Sequence, residues 1–144
     1  MKLVDANVLL YAVNVDAERH DGSRRWLDAA LSGRETIAFA WVVVLAFLRL
    51  STRVGLFPSP LRPDDAMDRV EAWLAAAPSV IVEPTAGHSR VMRDLLRGPG
   101  TGGNLINDAH LAALAVEHRC VIVSFDRDFD RFDGVQRFAP DSGP

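Results

Sequence analysis

Three aspartates stand where their carboxylates could share one divalent cation, namely Asp5, Asp108 and Asp126. Asp5 and Asp126 each follow a short apolar segment that predicts a β-strand, and Asp108 falls in the first turn of a predicted helix, where the helix dipole favours a carboxylate. Ligands of open parallel sheets bind beyond the carboxyl ends of the strands, so we expect the three side chains to converge there. Carboxylates brought so close repel one another unless protons or a cation intervene, and oxygen ligands suit Mg²⁺ or Mn²⁺.

A hard divalent ion held in this way lowers the pKa of a bound water and contacts phosphate oxygens, which is the chemistry of phosphodiester hydrolysis. Ser124 lies two residues before Asp126, hence on the same strand face, and is a candidate to hold a ligand water or a substrate oxygen. The structural alternative is that each aspartate only forms a turn or caps a helix, and that Asp128 and Asp130 are solvated surface residues.

Two other kinds of site are not supported by spacing. The four histidines show no metal-ligand pattern, and we interpret them as surface or capping residues. The glycine-rich stretch 98–103 lacks the Lys-Ser/Thr pair of a phosphate-binding P-loop, so we interpret it as a loop beside the site.

The elements that must position these residues follow from hydrophobic periodicity and from helix start and stop signals. Strands are predicted at residues 2–4, 36–39, 80–82, 121–123 and near 135–138. Helices are predicted at 7–13 with Asn7 as cap, between Asp16 and Gly33, at 41–53, 64–77 and 87–97, and from a cap at Asn104 to about His118. The alternation predicts an α/β fold of three layers, with a central, mostly parallel sheet flanked by helices, in one domain over 1–144.

Composition is that of an ordinary globular domain, with 49% hydrophobic and 24% charged residues in 144. The net charge of −3 argues against a broad basic face for nucleic acid, although all basic residues except Lys2 are arginines, whose planar fork suits phosphate. Cys120 is the single cysteine and is expected to be a buried thiol. With no signal peptide, and an apolar run at 38–48 well short of the roughly 20 residues a span needs, we expect a cytoplasmic protein without membrane contact.

Three motifs together resemble one known family. Residues 5–11 (DANVLLY) resemble the opening motif of PIN-domain proteins, residues 107–115 (NDAHLAALA) resemble their third-acid helix, and residues 124–129 (SFDRDF) resemble their final acidic motif. The stretch 41–52 is similar to VapC toxins of actinobacteria. The match runs from Met1 to about Phe138, and the order and spacing of the motifs are more specific than any one of them.

The resemblance implies an Mg²⁺- or Mn²⁺-dependent endoribonuclease that is the toxin of a toxin–antitoxin pair, inhibited by a VapB-type antitoxin and usually dimeric. It implies Asp5, Asp108 and Asp126 as catalytic and metal-binding acids. Asp128 is a further candidate ligand. The residues expected to bind the RNA substrate are Asn7, Ser124 and Arg49.

One position departs from the family pattern. Most PIN nucleases carry a glutamate on the helix after the second strand, where this chain has Ala46, and no Asp or Glu occurs at 36–63. A weaker or single-metal site is expected, with Asp128 as compensation. Arg49 lies three residues beyond Ala46 on the same helix face and can reach the vacated space to pair with an aspartate or with RNA phosphate. Alternatively, the aliphatic part of the Arg49 side chain packs along the edge of the core and has no functional contact.

Two other functions compete with this one. The absence of the glutamate supports an RNA-binding or regulatory PIN-like domain without catalysis. A phosphoacceptor receiver domain also clusters aspartates at strand ends, but it needs a lysine late in the chain, and none follows Lys2. The apolar residues in and just after the predicted helix 41–53 exceed what one helix usually buries. They predict an antitoxin groove, a dimer contact or additional core. They are Trp41, Leu45, Phe47, Leu56 and Phe57.

Overall fold

The sheet is parallel throughout the part of the chain that the computed structural model describes, which comprises residues 1–98, 100 and 102–141. Its strands are β1 (Lys2–Val4), β2 (Ile37–Phe39), β3 (Ser79–Ile81), β4 (Val121–Val123) and β5 (Arg137–Phe138). They lie in the order β3-β2-β1-β4-β5, with every neighbouring pair parallel. The predicted α/β class is confirmed, and β1 occupies the centre of the sheet.

Helices connect the strands and flank the sheet. They are α1 (Ala6–Val13), α2 (His20–Leu31), α3 (Trp41–Ser51), α4 (Pro63–Ala75), α5 (His88–Leu95) and α6 (Ile106–His118). Short 3₁₀ turns occupy Gly103–Leu105 and Arg127–Arg131. Helix α1 packs against α2 and α3, and α5 packs against α6.

Two predicted helix caps are wrong. Asp5, not Asn7, caps α1, because its extended backbone lets Oδ1 accept a hydrogen bond from the Ala6 amide at 2.7 Å. Asn104 does not cap α6, since the 3₁₀ turn carries the chain into the helix and no side chain caps it. Helix α2 starts at His20, later than predicted. The predicted loop 98–103 includes Pro99 and Thr101, which lie outside the described residues.

The core lies on both faces of the three central strands, whose apolar side chains are almost completely buried, including Leu3, Val4, Phe39, Ile122 and Val123. Burial on both faces explains why these strands are continuous apolar runs without alternation. Cys120 is buried, as predicted. No described helix combines the length and the apolar character that crossing a bilayer would require.

Helix α3, which matches the helix predicted at 41–53, is only half buried. Val43, Val44 and Phe47 enter the core, whereas Trp41 and Leu45 are 45% and 59% exposed. The apolar excess of this region therefore divides between core and surface.

Candidate active site

The carboxyl ends of β1 and β4 form the base of the site. Val4 pairs with Val123 in parallel register, and the Asp5 amide donates to the Val123 carbonyl at 3.0 Å. Asp126 follows three residues after β4 and caps the 3₁₀ turn, where its Oδ1 accepts from the Asp128 amide at 2.8 Å. Both strands thus deliver an aspartate to the same edge of the sheet.

Three carboxylates form a tight cluster at this edge. One oxygen from each of Asp108, Asp126 and Asp128 lies within 4.8 Å of the others. Asp108 comes from the first turn of α6, and the 3₁₀ turn brings Asp128 beside Asp126. The structure therefore brings together Asp108 and Asp126 as expected, and it places Asp128 inside the cluster rather than at its margin.

Asp5 borders this cluster and is held by its neighbours. Its Oδ2 accepts hydrogen bonds from the Ser124 hydroxyl at 2.6 Å and from Asn7 Nδ2 at 2.9 Å. Burial raises the pKa of Asp5, the hydrogen bond from Ser124 opposes that rise, and the charge of Asp126 adds to it. The carboxylate is close enough to the cluster to respond to its charge.

Ser124 and Asn7 hold Asp5 in place, whereas the expectation that they contact an RNA substrate stays a prediction. Ser124 is completely buried, and its hydroxyl also accepts from Asn7 Nδ2 at 2.9 Å and from the Asp126 amide at 3.0 Å. Asn7 Oδ1 accepts from the Phe125 amide at 3.3 Å. The Ser124 hydroxyl thus makes all three of the hydrogen bonds that a hydroxyl can make, each to a protein group. The sequence could not show this, since Asn7 and Ser124 meet only when β1 and β4 pair.

The cluster concentrates negative charge. Burial raises the pKa of Asp108 to about 6, with further contributions from the charges of Asp126, Asp5 and Asp128. Carboxylates this close together repel one another, and a bound cation relieves that repulsion. An all-oxygen donor set of this kind fits a hard divalent cation, so the residues present match the metal that the family implies.

A cavity of about 450 Å³ opens beside the cluster and contains the position of the absent glutamate. Asp5, Asp108, Ala46 and Arg49 all line it. Arg49 is exposed, and it forms no ion pair with any carboxylate of the described residues, so the predicted pairing with an aspartate is not observed. Its guanidinium is available to an anion that enters the cavity.

Two histidines depart from the predicted surface role. His88 Nδ1 contacts Glu117 Oε2 at 2.6 Å, and His88 Nε2 contacts His110 Nδ1 at 2.8 Å, which links α5 to α6. The side chains of His88 and Glu117 are only 13% and 3% exposed. Periodicity could not reveal this cluster, because its members meet only through the packing of two helices.

Comparison with known proteins places this geometry in a family. The PIN-domain model matches residues 2–135. Ribonuclease VapC37 of Mycobacterium tuberculosis is 60% identical over 136 residues, which cover 94% of each chain. Ribonuclease VapC25 of the same organism is 39% identical over 140 residues, covering 97% of this chain and 99% of VapC25.

A solved structure shows the same fold at low identity. VapC20 of Mycobacterium tuberculosis, described as a toxin that cleaves the sarcin–ricin loop, has a TM-score of 0.69 and 18% identity, covering 94% of this chain and 99% of VapC20. The fold, the matched family model and the two relatives agree. The chain therefore belongs to the PIN-domain family and, within it, to the VapC proteins.

Proposed function

We propose that this chain is a metal-dependent endoribonuclease, the toxin of a toxin–antitoxin pair, that hydrolyses RNA phosphodiester bonds. The observation that carries the proposal is the cluster of Asp108, Asp126 and Asp128, with Asp5 at its border, at the carboxyl edge of a parallel sheet. Its relatives VapC37 and VapC25 are named ribonucleases. We assign catalytic roles to Asp5, Asp108 and Asp126.

The proposed ion is Mg²⁺ or Mn²⁺, and Asp108, Asp126 and Asp128 would hold it, with Asp5 beside them. When bound, such an ion activates water and offsets the charge of a phosphate. Asp5 is fixed by Ser124 and Asn7, so its carboxylate keeps one orientation toward the site. A fixed orientation matters because catalysis depends on placing the attacking group before the reaction starts.

The first test is the metal dependence of RNA cleavage by the purified chain. We expect cleavage with Mg²⁺ or Mn²⁺, complete loss of cleavage in EDTA, and recovery when either ion is added in excess. Cleavage that persists in EDTA would contradict the proposal. RNA that is retained at low salt but never cut with either ion would favour the non-catalytic RNA-binding domain.

We propose that Arg49 binds an RNA phosphate in the cavity beside Ala46, where the missing glutamate would stand. Its support is the exposed guanidinium that lines the same cavity as Asp5 and Asp108. Near a cluster of this charge, a cation at the rim offsets the repulsion that an incoming phosphate meets. The absence of the family's glutamate from α3, where this chain has Ala46, supports a single-metal site.

The second test replaces Arg49 with alanine. Loss of a charge-assisted hydrogen bond to phosphate, worth about 1.5–3 kcal/mol, should lower kcat/KM for RNA by about 10- to 100-fold. Arg53→Ala is the matched control, because it removes the same charge from an exposed position just beyond α3 that does not line the cavity. Equal losses in the two variants would point to a general charge effect and refute the assignment.

We further propose a VapB-type antitoxin and a second copy of the chain as partners, with one PIN-like domain over residues 1–144. The exposed apolar side chains of Trp41, Leu45 and Leu56 support a protein contact, and Leu45 also lines the cavity beside the acidic cluster. The fold is similar to that of VapBC2 of Rickettsia felis, whose structure was determined bound to a DNA fragment from its promoter. The TM-score is 0.68 at 17% identity, and the match covers 96% of this chain and 97% of that one. An RNA substrate and such an antitoxin would place the activity in the cytoplasm.

A further inference from the structure

A second recess adjoins the acidic cluster at Asp126. It is lined by Asn7, Tyr11, Arg19, Phe125 and Asp126 and has a volume of about 300 Å³. Asp126 belongs both to this recess and to the cluster, whereas the Arg49 cavity meets the cluster at Asp5 and Asp108. The cluster therefore borders two concave surfaces.

The wall of this recess is a surface of aromatic rings and a planar cation. The rings of Tyr11 and Phe125 meet edge to face, with centroids 5.4 Å apart and an interplanar angle of 63°. The guanidinium carbon of Arg19 lies 4.5 Å from the centroid of the Phe125 ring. Such cation–π contacts hold a guanidinium in a defined position while leaving its N–H groups at the edge available.

Arg19 is not committed to a strong ion pair. Its nearest carboxylate oxygen is that of Asp141 at 3.9 Å, and both side chains are nearly half exposed, so this pair contributes little. The floor of the recess, by contrast, is fixed, because the amide of Asn7 is hydrogen-bonded to Asp5, Ser124 and the Phe125 backbone. A fixed floor with an accessible cation at its edge is suited to binding a ligand.

We propose that this recess is a nucleotide subsite for single-stranded RNA, in which the base next to the scissile phosphate stacks on the surface formed by Arg19 and Tyr11. This inference rests on the proposed ribonuclease function. Unpaired RNA bases stack on aromatic rings and on arginine planes, largely independently of base identity. The acidic cluster repels the RNA backbone, so the cations of the two adjoining cavities, Arg19 and Arg49, would help to hold the strand beside it.

The test measures binding separately from cleavage. The parent protein is Asp108→Asn in EDTA, and the probe is a short single-stranded RNA with a fluorescent base analogue that is quenched by stacking. We expect Arg19→Ala to weaken binding about tenfold and to reduce the quenching. Arg19→Lys retains the charge but lacks the planar group, so it should not restore the quenching. Arg24→Ala is the control, since this exposed arginine of α2 does not line the recess.

Either of two results would overturn the subsite. Arg19→Ala could bind like the parent, or Arg19→Lys could bind and quench like the parent, which would reduce the role of Arg19 to charge alone. Cleavage assays on the otherwise unaltered chain separate the two proposals. Intact cleavage with no Arg19-dependent stacking refutes only the subsite, whereas stacking without cleavage in Mg²⁺ or Mn²⁺ refutes the nuclease and retains the RNA-binding recess.

Discussion

Replacing Asp108 with asparagine is expected to abolish RNA cleavage and, at the same time, to stabilise the metal-free protein. The substitution removes one of the three carboxylates within 4.8 Å of one another, and with it a ligand of the proposed ion. Mutating a residue that only hydrogen-bonds to a metal ligand typically lowers activity about 10- to 100-fold. Removing a ligand itself should therefore lower the rate of RNA cleavage at least about a hundredfold. The gain in stability arises because asparagine keeps the shape of aspartate without its charge.

The stability effect depends on pH in a defined direction. The pKa of Asp108 is raised from 3.8 to about 6 in the folded protein, so the folded state holds its proton more tightly than the unfolded state. Its contribution is fully present below about pH 3.8 and is lost as the pH rises through about 6. The metal-free wild type should lose this part of its stability between those values, and Asp108→Asn should not.

Thermal unfolding in EDTA measures this directly. At pH 7 we expect Tm to rise by about 3–6 °C, equivalent to about 1–2 kcal/mol after allowance for solvent screening at this partly exposed site. Asp94→Asn is the control, because Asp94 is an exposed aspartate of α5 that pairs with Arg97. A lower Tm for Asp108→Asn than for the wild type in EDTA would show that repulsion among the carboxylates does not destabilise the metal-free protein.

Replacing Ser124 with alanine should destabilise the protein and impair cleavage, because Ser124 is buried and holds Asp5 in place. Its hydroxyl donates to Asp5 and accepts from Asn7 Nδ2 and from the Asp126 amide. Each buried group left without a partner costs about 1–3 kcal/mol, so we expect a loss of about 3 kcal/mol, or roughly 10 °C in Tm. The pKa of Asp5 should rise further, because this hydrogen bond lowers it.

Ser51→Ala provides a matched control for that experiment. Ser51 is as completely buried as Ser124, but its hydroxyl has no hydrogen-bond partner among the described residues. Its replacement should leave Tm unchanged or slightly higher, and cleavage should stay at the wild-type rate. We expect Ser124→Ala to cleave about 10- to 100-fold more slowly, the loss typical of residues that orient a metal-site acid. Similar changes of Tm and cleavage rate in the two variants would contradict a role of Ser124 in positioning Asp5.

Local sequence patterns predicted the order of strands and helices, a mostly parallel sheet and the placement of Asp5 and Asp126 at one edge. These features follow from local patterns, because continuous apolar runs predict buried strands and the ends of parallel strands share an edge. The family motifs at residues 5–11, 107–115 and 124–129 are local as well, and they were sufficient to identify a PIN domain.

Which side chains meet depends instead on how distant elements pack together. Asp128 joins the cluster because a 3₁₀ turn folds it back beside Asp126, and Ser124 is committed to Asp5, 119 residues away, because β1 pairs with β4. The contact of His88 with Glu117 likewise depends on α5 packing against α6. Periodicity tells which face of an element is buried but not which distant group it meets, so the roles of polar side chains could not be predicted from spacing alone.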